Sequence, residues 1–202
     1  MRSEGTLLGA VLAGGRSRRF GSDKSALPFA GEPLWRRQLG VLRAAGATET
    51  VLVLRPDQAA PAGVRCRWDR LEGVGPLAGL EAALVAPESS FVAVLAVDMP
   101  GIDADWFRWL QTFCRPGTGA MARQGGLCEP LAAIYPAEAI GEIETRLARH
   151  DHSLQPLARA LAAQGLMTLV PLDARRARCV ASINTADQWE EWKRGAGPSP
   201  SG

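Results

Sequence analysis

The chain has 202 residues, ample for one domain with a sizeable core, and its 47% hydrophobic and 22% charged content is ordinary for a globular protein. A formal charge of +2, with no basic patch interleaved with aromatics, argues against a nucleic-acid partner. The four cysteines, Cys66, Cys114, Cys128 and Cys179, lack CxxC spacing, which disfavours a zinc site or a disulfide framework and points to reduced, buried thiols in a cytoplasmic chain.

The N-terminal stretch MRSEGTLLGAVLAGG has an apolar run of only about eight residues, too short for a bilayer span, and shows no signal-peptide cleavage pattern, so no membrane partner is expected. Within it, TLLGAVLA (6–13) is a continuous apolar run of strand length, as expected for a strand buried on both faces of a parallel sheet. Trp35, Leu39 and Leu42 then recur at i, i+4 and i+7 ahead of Gly46, predicting a helix. TVLVL (50–54) reads as another buried strand and VRCRWD (64–69) as a short one. Gly75-Pro76 opens a helix carrying Leu77, Leu80 and Leu84, and FVAVLAV (91–97) is a further buried strand. Asp103 is the candidate N-cap of a helix over 103–113 with Trp106, Leu110 and Phe113 on one face. TGAMAR (118–123) and EPLAAIY (129–135) read as strands, helical patterns follow near 137–149 and 154–164, and LMTLVPL (166–172) is a late strand. SINTADQWEEW (182–192) is a turn feeding a short helix, and 194–202 is expected to be a disordered tail. With no internal repeat and no dividing linker, the alternation predicts one α/β unit over 1–193, a Rossmann-like three-layer sandwich with a mostly parallel sheet.

Residues 12–25, LAGGRSRRFGSDKS, follow the first strand, at the carboxyl edge where open α/β sheets bind ligands. Gly14, Gly15 and Gly21 let backbone amides turn toward an anion with no Cβ in the way. Arg16, Arg18, Arg19 and Lys24 add charge-assisted donors. A plain glycine-rich turn with solvated arginines would carry the same residues; the buried strand before it favours a phosphate nest. Neither familiar phosphate loop matches. There is no GxGxxG, and although Lys24-Ser25 matches the end of a P-loop, the nearest preceding glycine is three positions from the lysine. Of 23 basic residues only Lys24 and Lys193 are lysines, and against that arginine background an internal lysine marks a place for a compact charge.

FVAVLAVDMPGI ends its strand in an acid, which places Asp98 at the same sheet edge as the glycine loop. Stiffened by Pro100, a carboxylate there suits Mg²⁺, a hard cation held by one or two carboxylates together with phosphate oxygens. Capping the next helix is the other role open to Asp98, but Asp103 fills it. His150 and His152 point about 200° apart on a helix and have no clear third ligand, so they read as a polar turn. The tryptophans fall mostly at helical spacing, as in Trp106/Trp109 and Trp189/Trp192, and read as packing.

LAGGRSRRFGSDK, GPLAGL (75–80), VDMP (97–100) and INT (183–185) occur in the order and spacing of the molybdenum cofactor guanylyltransferases, relatives of the sugar-phosphate nucleotidylyltransferases. The chain resembles that family from about residue 6 to 192. The resemblance implies a fold of the nucleotide-diphospho-sugar transferase type, with a nucleotide-binding half over about 6–100 and an acceptor-binding half over about 101–193. It implies binding of GTP and Mg²⁺, and transfer of GMP to the phosphate of molybdopterin with release of pyrophosphate. It further implies hand-over to molybdoenzyme chaperones or cofactor-insertion proteins. Position by position, Leu12, Ala13, Gly14 and Gly15 match nucleotide contacts, Lys24 and Arg19 phosphate contacts, and Asp69 a nucleotide-contacting aspartate. Asp98 matches the Mg²⁺ ligand and Asn184 an asparagine of the acceptor side. Glu129-Pro130 lies where the substrate-facing half begins, either shaping the pterin pocket or exposed in a loop. Two departures stand out: the second strand ends Leu54-Arg55 where family members often carry a guanine-reading asparagine, and the NxNTP motif reads SINTA.

Displacement at phosphorus asks a protein chiefly for alignment and charge neutralisation, and an incoming phosphate monoester is already an anionic nucleophile. No dedicated general base is then required, in keeping with a chain that has two histidines. A CTP-dependent cytidylyltransferase, or an enzyme with a sugar-phosphate or polyol-phosphate acceptor, would use the same machinery. A nicotinamide oxidoreductase would need the missing dinucleotide fingerprint, and a nucleotide sensor would keep the loop without the metal ligand. If Lys24 supplies a compact charge, Lys24→Arg impairs turnover although net charge is retained, while Arg43→Lys on the first helix is silent; steady-state rates of the two variants check this.

Overall fold

The structure, a computed structural model, describes residues 5–15, 28–29, 31–71, 73–85 and 89–195. Strand β1 (Leu7–Leu12) is buried along its whole length. Leu7 and Val11 face one helical layer, whereas Leu8, Ala10 and Leu12 face the other, and this two-sided burial is why the sequence shows an unbroken apolar run. Gly9 is small for a packing reason: a Cβ there would come within 2.8 Å of the Cβ of Leu42. Leu42 belongs to α1 (Leu34–Ala44), which buries Leu34, Trp35, Gln38, Leu39 and Leu42 against the sheet. A short ribbon, β2 (Pro28–Phe29) paired antiparallel with β3 (Glu32–Pro33), leads into α1.

Strands β4 (Glu49–Leu54) and β5 (Cys66–Trp68) extend the sheet in parallel from one side of β1, and β6 (Phe91–Ala96) pairs in parallel on its other side. Between β5 and β6 runs α2 (Pro76–Leu84), with Pro76 in its first turn and Gly75 as N-cap at φ 74°, backbone that favours glycine. Arg67 of β5 satisfies the far end of this helix, its Nη1 donating to the carbonyls of Ala82, Ala83 and Val85 at 3.2, 2.8 and 3.2 Å. Helix α3 (Ala104–Gln111) starts as expected at Asp103, whose Oδ1 accepts from the Trp106 amide at 3.0 Å.

The second half contributes β7 (Gly119–Gln124), β8 (Leu127–Cys128), β9 (Ala132–Pro136), α4 (Ile140–Ala148), α5 (Leu154–Ala163), β10 (Met167–Pro171) and α6 (Ala186–Gly195). The sheet order is β10-β7-β9-β6-β1-β4-β5, with β8 beside β7. Within that row β9 alone runs against its neighbours, so the sheet is mostly parallel. Residues of α1, α3 and α6 pack on one face and those of α2, α4 and α5 on the other, giving three layers.

Three expectations are corrected. Helix α6 continues through Arg194 and Gly195, past the expected start of the tail, with Lys193 paired to Glu190 at 2.7 Å; residues 196–202 lie outside the described residues. Only Cys128 is buried; Cys66, which opens the edge strand β5, and Cys114 and Cys179, which lie outside the named helices and strands, are half-buried, and all four are free thiols. Burial still pushes the Cys114 thiol up to about 12. Trp68, on the edge strand, is 43% exposed and so departs from the packing role expected of the tryptophans. Among the described residues no helix is long and apolar enough to cross a membrane.

Candidate active site

From β1 the chain proceeds to β4 and β5 on one side and then returns to β6 on the other, so the sheet has its topological switch point beside β1. In open α/β sheets the crevice at the carboxyl ends of the strands flanking such a point is where ligands bind. The backbone closes this edge tightly. The Val97 amide donates to the Leu12 carbonyl at 3.0 Å, that of Ala13 to Val53 at 2.8 Å and that of Asp69 to Leu54 at 2.9 Å. The starts of three separate loops, at Ala13, Asp69 and Asp98, are thereby fixed along one edge.

Asp98 is half-buried in the turn after β6, and that turn is held from two sides. The Ile183 amide donates to the Asp98 carbonyl at 2.8 Å, bringing the INT segment against the acid. From α1, the Gln38 Nε2 donates to the Met99 carbonyl at 2.9 Å while its Oε1 accepts from Arg37 Nη1 at 2.8 Å. Gln38 is the one buried polar side chain among the described residues, so its amide has no water to fall back on. Burial also lowers the Arg37 pKa, opposed by the nearby carboxylates of Asp103 and Glu32.

The threonine of INT has a local reason. Thr185 Oγ1 accepts from the Gln188 amide at 3.2 Å, and Gln188 Oε1 accepts from the amides of Thr185 and Asn184 at 3.2 and 2.7 Å, a capping box that starts α6. Asn184 is thus presented, exposed, one residue from the Asp98 turn. Helix α6 also reaches the N-terminal half, where Phe29 meets Trp189 and Trp192 at ring separations of 6.0 and 5.0 Å. The Arg37 guanidinium lies over the Phe29 ring, 5.3 Å from its centroid.

At the glycine loop, a Cβ on Gly14 would sit 3.2 Å from Asp69 Oδ2 and 3.3 Å from Arg55 Cγ, so the loop passes between these two side chains. Arg55 Nη1 donates to the carbonyls of Gly14 and Gly15 at 3.2 and 3.1 Å, and Gln58 Nε2 to that of Ala13 at 3.3 Å. Gly79 of α2 faces Leu12, whose side chain would lie 3.5 Å from a Cβ there. Leu12, Ala13, Gly14, Gly15, Asp69, Asp98 and Asn184 are therefore gathered at one edge. Arg19 and Lys24, with Arg16, Arg18 and Gly21, lie outside the described residues.

On the second-half side, β9 enters the same edge, and the residue before it, Leu131, accepts from the Ala96 amide at 2.8 Å. Glu129 lies just before it, half-buried, and burial pushes its carboxyl above the usual range, as it does for Glu81 near Asp69. Pro130 is buried and accepts from the Tyr135 hydroxyl at 2.8 Å. His150, at φ 55°, ends α4 in a turn, and among the described residues no group of three or more His, Cys, Asp or Glu gathers for a metal.

A doubly covered, mostly parallel sheet with a glycine loop and an aspartate side by side at its switch point is an α/β fold of the kind that binds ligands at its carboxyl edge. Residues 9–167 match the MobA-like NTP transferase domain family. A probable molybdenum cofactor guanylyltransferase of Opitutus terrae is 45% identical over 192 residues, 93% of this chain and 95% of its own. The molybdenum cofactor guanylyltransferase of Pseudomonas putida is 32% identical over 90% of this chain and 94% of its own. Among solved structures, molybdopterin-guanine dinucleotide biosynthesis protein A from Archaeoglobus fulgidus shares the fold with a TM-score of 0.73, at 22% identity over 94% of this chain and 98% of that one. The chain belongs to the MobA-like NTP transferase family, within its molybdenum cofactor guanylyltransferases, and is a nucleotidyltransferase.

Sequence reasoning missed Gln38, Arg55 and Gln58. A glutamine inside the apolar stripe of α1 was the available signal for the first. Replacing it by leucine strands the Met99 carbonyl in the core, at a cost of about 1–3 kcal/mol. We expect Gln38→Leu to lower stability by that amount in urea unfolding, and to lower kcat more than it raises KM for the nucleotide as the Asp98 turn loosens.

Proposed function

We propose that this protein transfers GMP from GTP to the phosphate of molybdopterin, giving the guanine dinucleotide form of the cofactor and pyrophosphate. The observation that carries the reading is the adjacency of the glycine loop and the Asp98 turn, joined by the Val97-to-Leu12 hydrogen bond and bordered by Asn184. The names of its relatives support the base and the acceptor.

In this reading the loop amides at Gly14 and Gly15, with Arg19 and Lys24, hold the triphosphate and the departing pyrophosphate. Leu12, Ala13 and Asp69 position the nucleoside, and Asn184 orients the acceptor against it. The chain supplies alignment and takes no proton from the attacking phosphate, which is anionic at neutral pH.

Mg²⁺ fits the donor set. Asp98 offers one hard, half-buried carboxylate, without the three-ligand cage that a resident metal would need among the described residues. An ion bound there would neutralise phosphate charge. Free cysteines and the lack of a described membrane-crossing helix are in keeping with a cytoplasmic enzyme, and product would pass to molybdoenzyme chaperones or cofactor-insertion proteins.

The test is pyrophosphate release with each of the four nucleoside triphosphates plus molybdopterin, with and without Mg²⁺. GTP is expected to give the highest kcat/KM; a higher value for CTP assigns the chain to cytidylyl transfer instead. Asp98→Asn keeps the shape of the side chain and removes its charge, so it is expected to lower kcat on the order of 100-fold or more while thermal unfolding stays near wild type. Near wild-type transfer at limiting Mg²⁺ would remove Asp98 from the metal site.

A further inference from the structure

Three successive carbonyls of the glycine loop, those of Ala13, Gly14 and Gly15, accept hydrogen bonds from two side chains of the β4–β5 connection. Arg55 serves Gly14 and Gly15, and Gln58 serves Ala13. The donors are themselves fixed. Gln58 Oε1 accepts from the Arg55 backbone amide at 2.8 Å, and the Asp57 carboxylate accepts from Arg55 Nε and Nη2 at 2.9 and 3.3 Å. Asp57 is 72% exposed, so this ion pair adds little stability and serves to orient the guanidinium fork.

We propose that Arg55 and Gln58 are positioning residues that hold the glycine loop in its anion-accepting form. This rests on the nucleotide-transfer reading above and adds residues that sequence matching does not supply. The peptide plane carries the argument: across a trans peptide the carbonyl of one residue and the amide of the next point in opposite directions. With the Ala13 and Gly14 carbonyls drawn toward Arg55 and Gln58, the Gly14 and Gly15 amides are turned to the opposite side, as a phosphate nest requires. Unheld, a glycine-rich backbone would exchange among many conformations and expose carbonyl oxygens to a polyanion. The guanidinium also sets a fixed positive charge behind the loop. The Arg55 side chain is engaged on the loop backbone. Its effect should therefore fall on the phosphates and not on the choice of base.

The experiment compares wild type, Arg55→Met and Arg55→Lys. Kd is measured by titration calorimetry for GTP and for inorganic tripolyphosphate with Mg²⁺, and KM and kcat are measured in GMP transfer. Arg55 borders an open groove of about 300 Å³ together with Trp35 and Leu54, so methionine fits in its place. Arg55→Met is expected to weaken GTP and tripolyphosphate by the same factor, about tenfold, from the loss of two charge-assisted bonds. It should raise KM for GTP by a larger factor than it lowers kcat, and Arg55→Lys should recover part of the loss. A folded Arg55→Met protein with wild-type affinities overturns the proposal, as does a loss confined to GTP, which would make Arg55 a base reader. Should thermal unfolding show that Arg55→Met does not fold, Gln58→Met tests the same point through the Ala13 carbonyl alone: a smaller, equal loss for both ligands supports the proposal and none overturns it. Wild-type protein that binds tripolyphosphate but not GTP refutes guanylyl transfer and leaves the clamp to be judged on tripolyphosphate. Wild-type protein that binds neither overturns both.

Discussion

The bond from the Val97 amide to the Leu12 carbonyl is the last rung of the β1–β6 ladder, and the candidate site depends on it. One residue beyond it on the β6 side comes Asp98, and on the β1 side the glycine loop begins. A parallel pair buried on both faces has its register enforced by every side chain along it, since a slip by one residue would exchange the two core faces. The relative position of loop and acid is therefore set by the packing of twelve strand residues and not by the loops themselves. That arrangement suits chemistry in which geometry is most of what the protein contributes.

Around this rung the polar backbone groups are accounted for by side chains brought in from elsewhere. Gln38 reaches across from α1 to the Met99 carbonyl, and Arg55 and Gln58 reach back to the glycine loop. Gln38 lies on a helix whose apolar face is buried, while Arg55 is oriented by Asp57 and Gln58 by the Arg55 amide, so these directions are fixed before any ligand arrives. Such supported geometry costs little to adopt on binding, which is the physical meaning of preorganisation.

What could be read from the sequence follows from which constraints are local. Strands β1, β4 and β6 were legible because burial on two faces leaves unbroken apolar runs, and α1 and α3 because burial on one face leaves a helical period. The cap at Asp103 is a contact over three residues and was legible too. The placement of β9 between β6 and β7 was not, because spatial order in a sheet is decided by pairing between distant segments. The two-residue strands β2, β3 and β8 are too short to show any period. Asp98 was legible from its place at the end of a buried strand, whereas Asp69 and Asn184 came from resemblance, and the structure gathers all three at one edge with Leu12 to Gly15. Arg55 and Gln58 were hidden because Arg-Pro-Asp-Gln reads as an ordinary polar turn until its spatial neighbours are known.

The meeting of α6 with Phe29, and of Ile183 with Asp98, bears on how the molecule is made. A ribosome delivers Phe29 and the acid before it reaches residue 100, but the segment that braces them, Ile183 and α6, is made only after β10. At about 5–20 residues per second, the nascent chain spends several seconds with its nucleotide edge written but unbraced. An early part of the site is thus braced by a segment made well after it, and its maturation waits on synthesis of that segment. Messages cut short before residue 183 yield the Asp98 turn without the Ile183 bond that holds it.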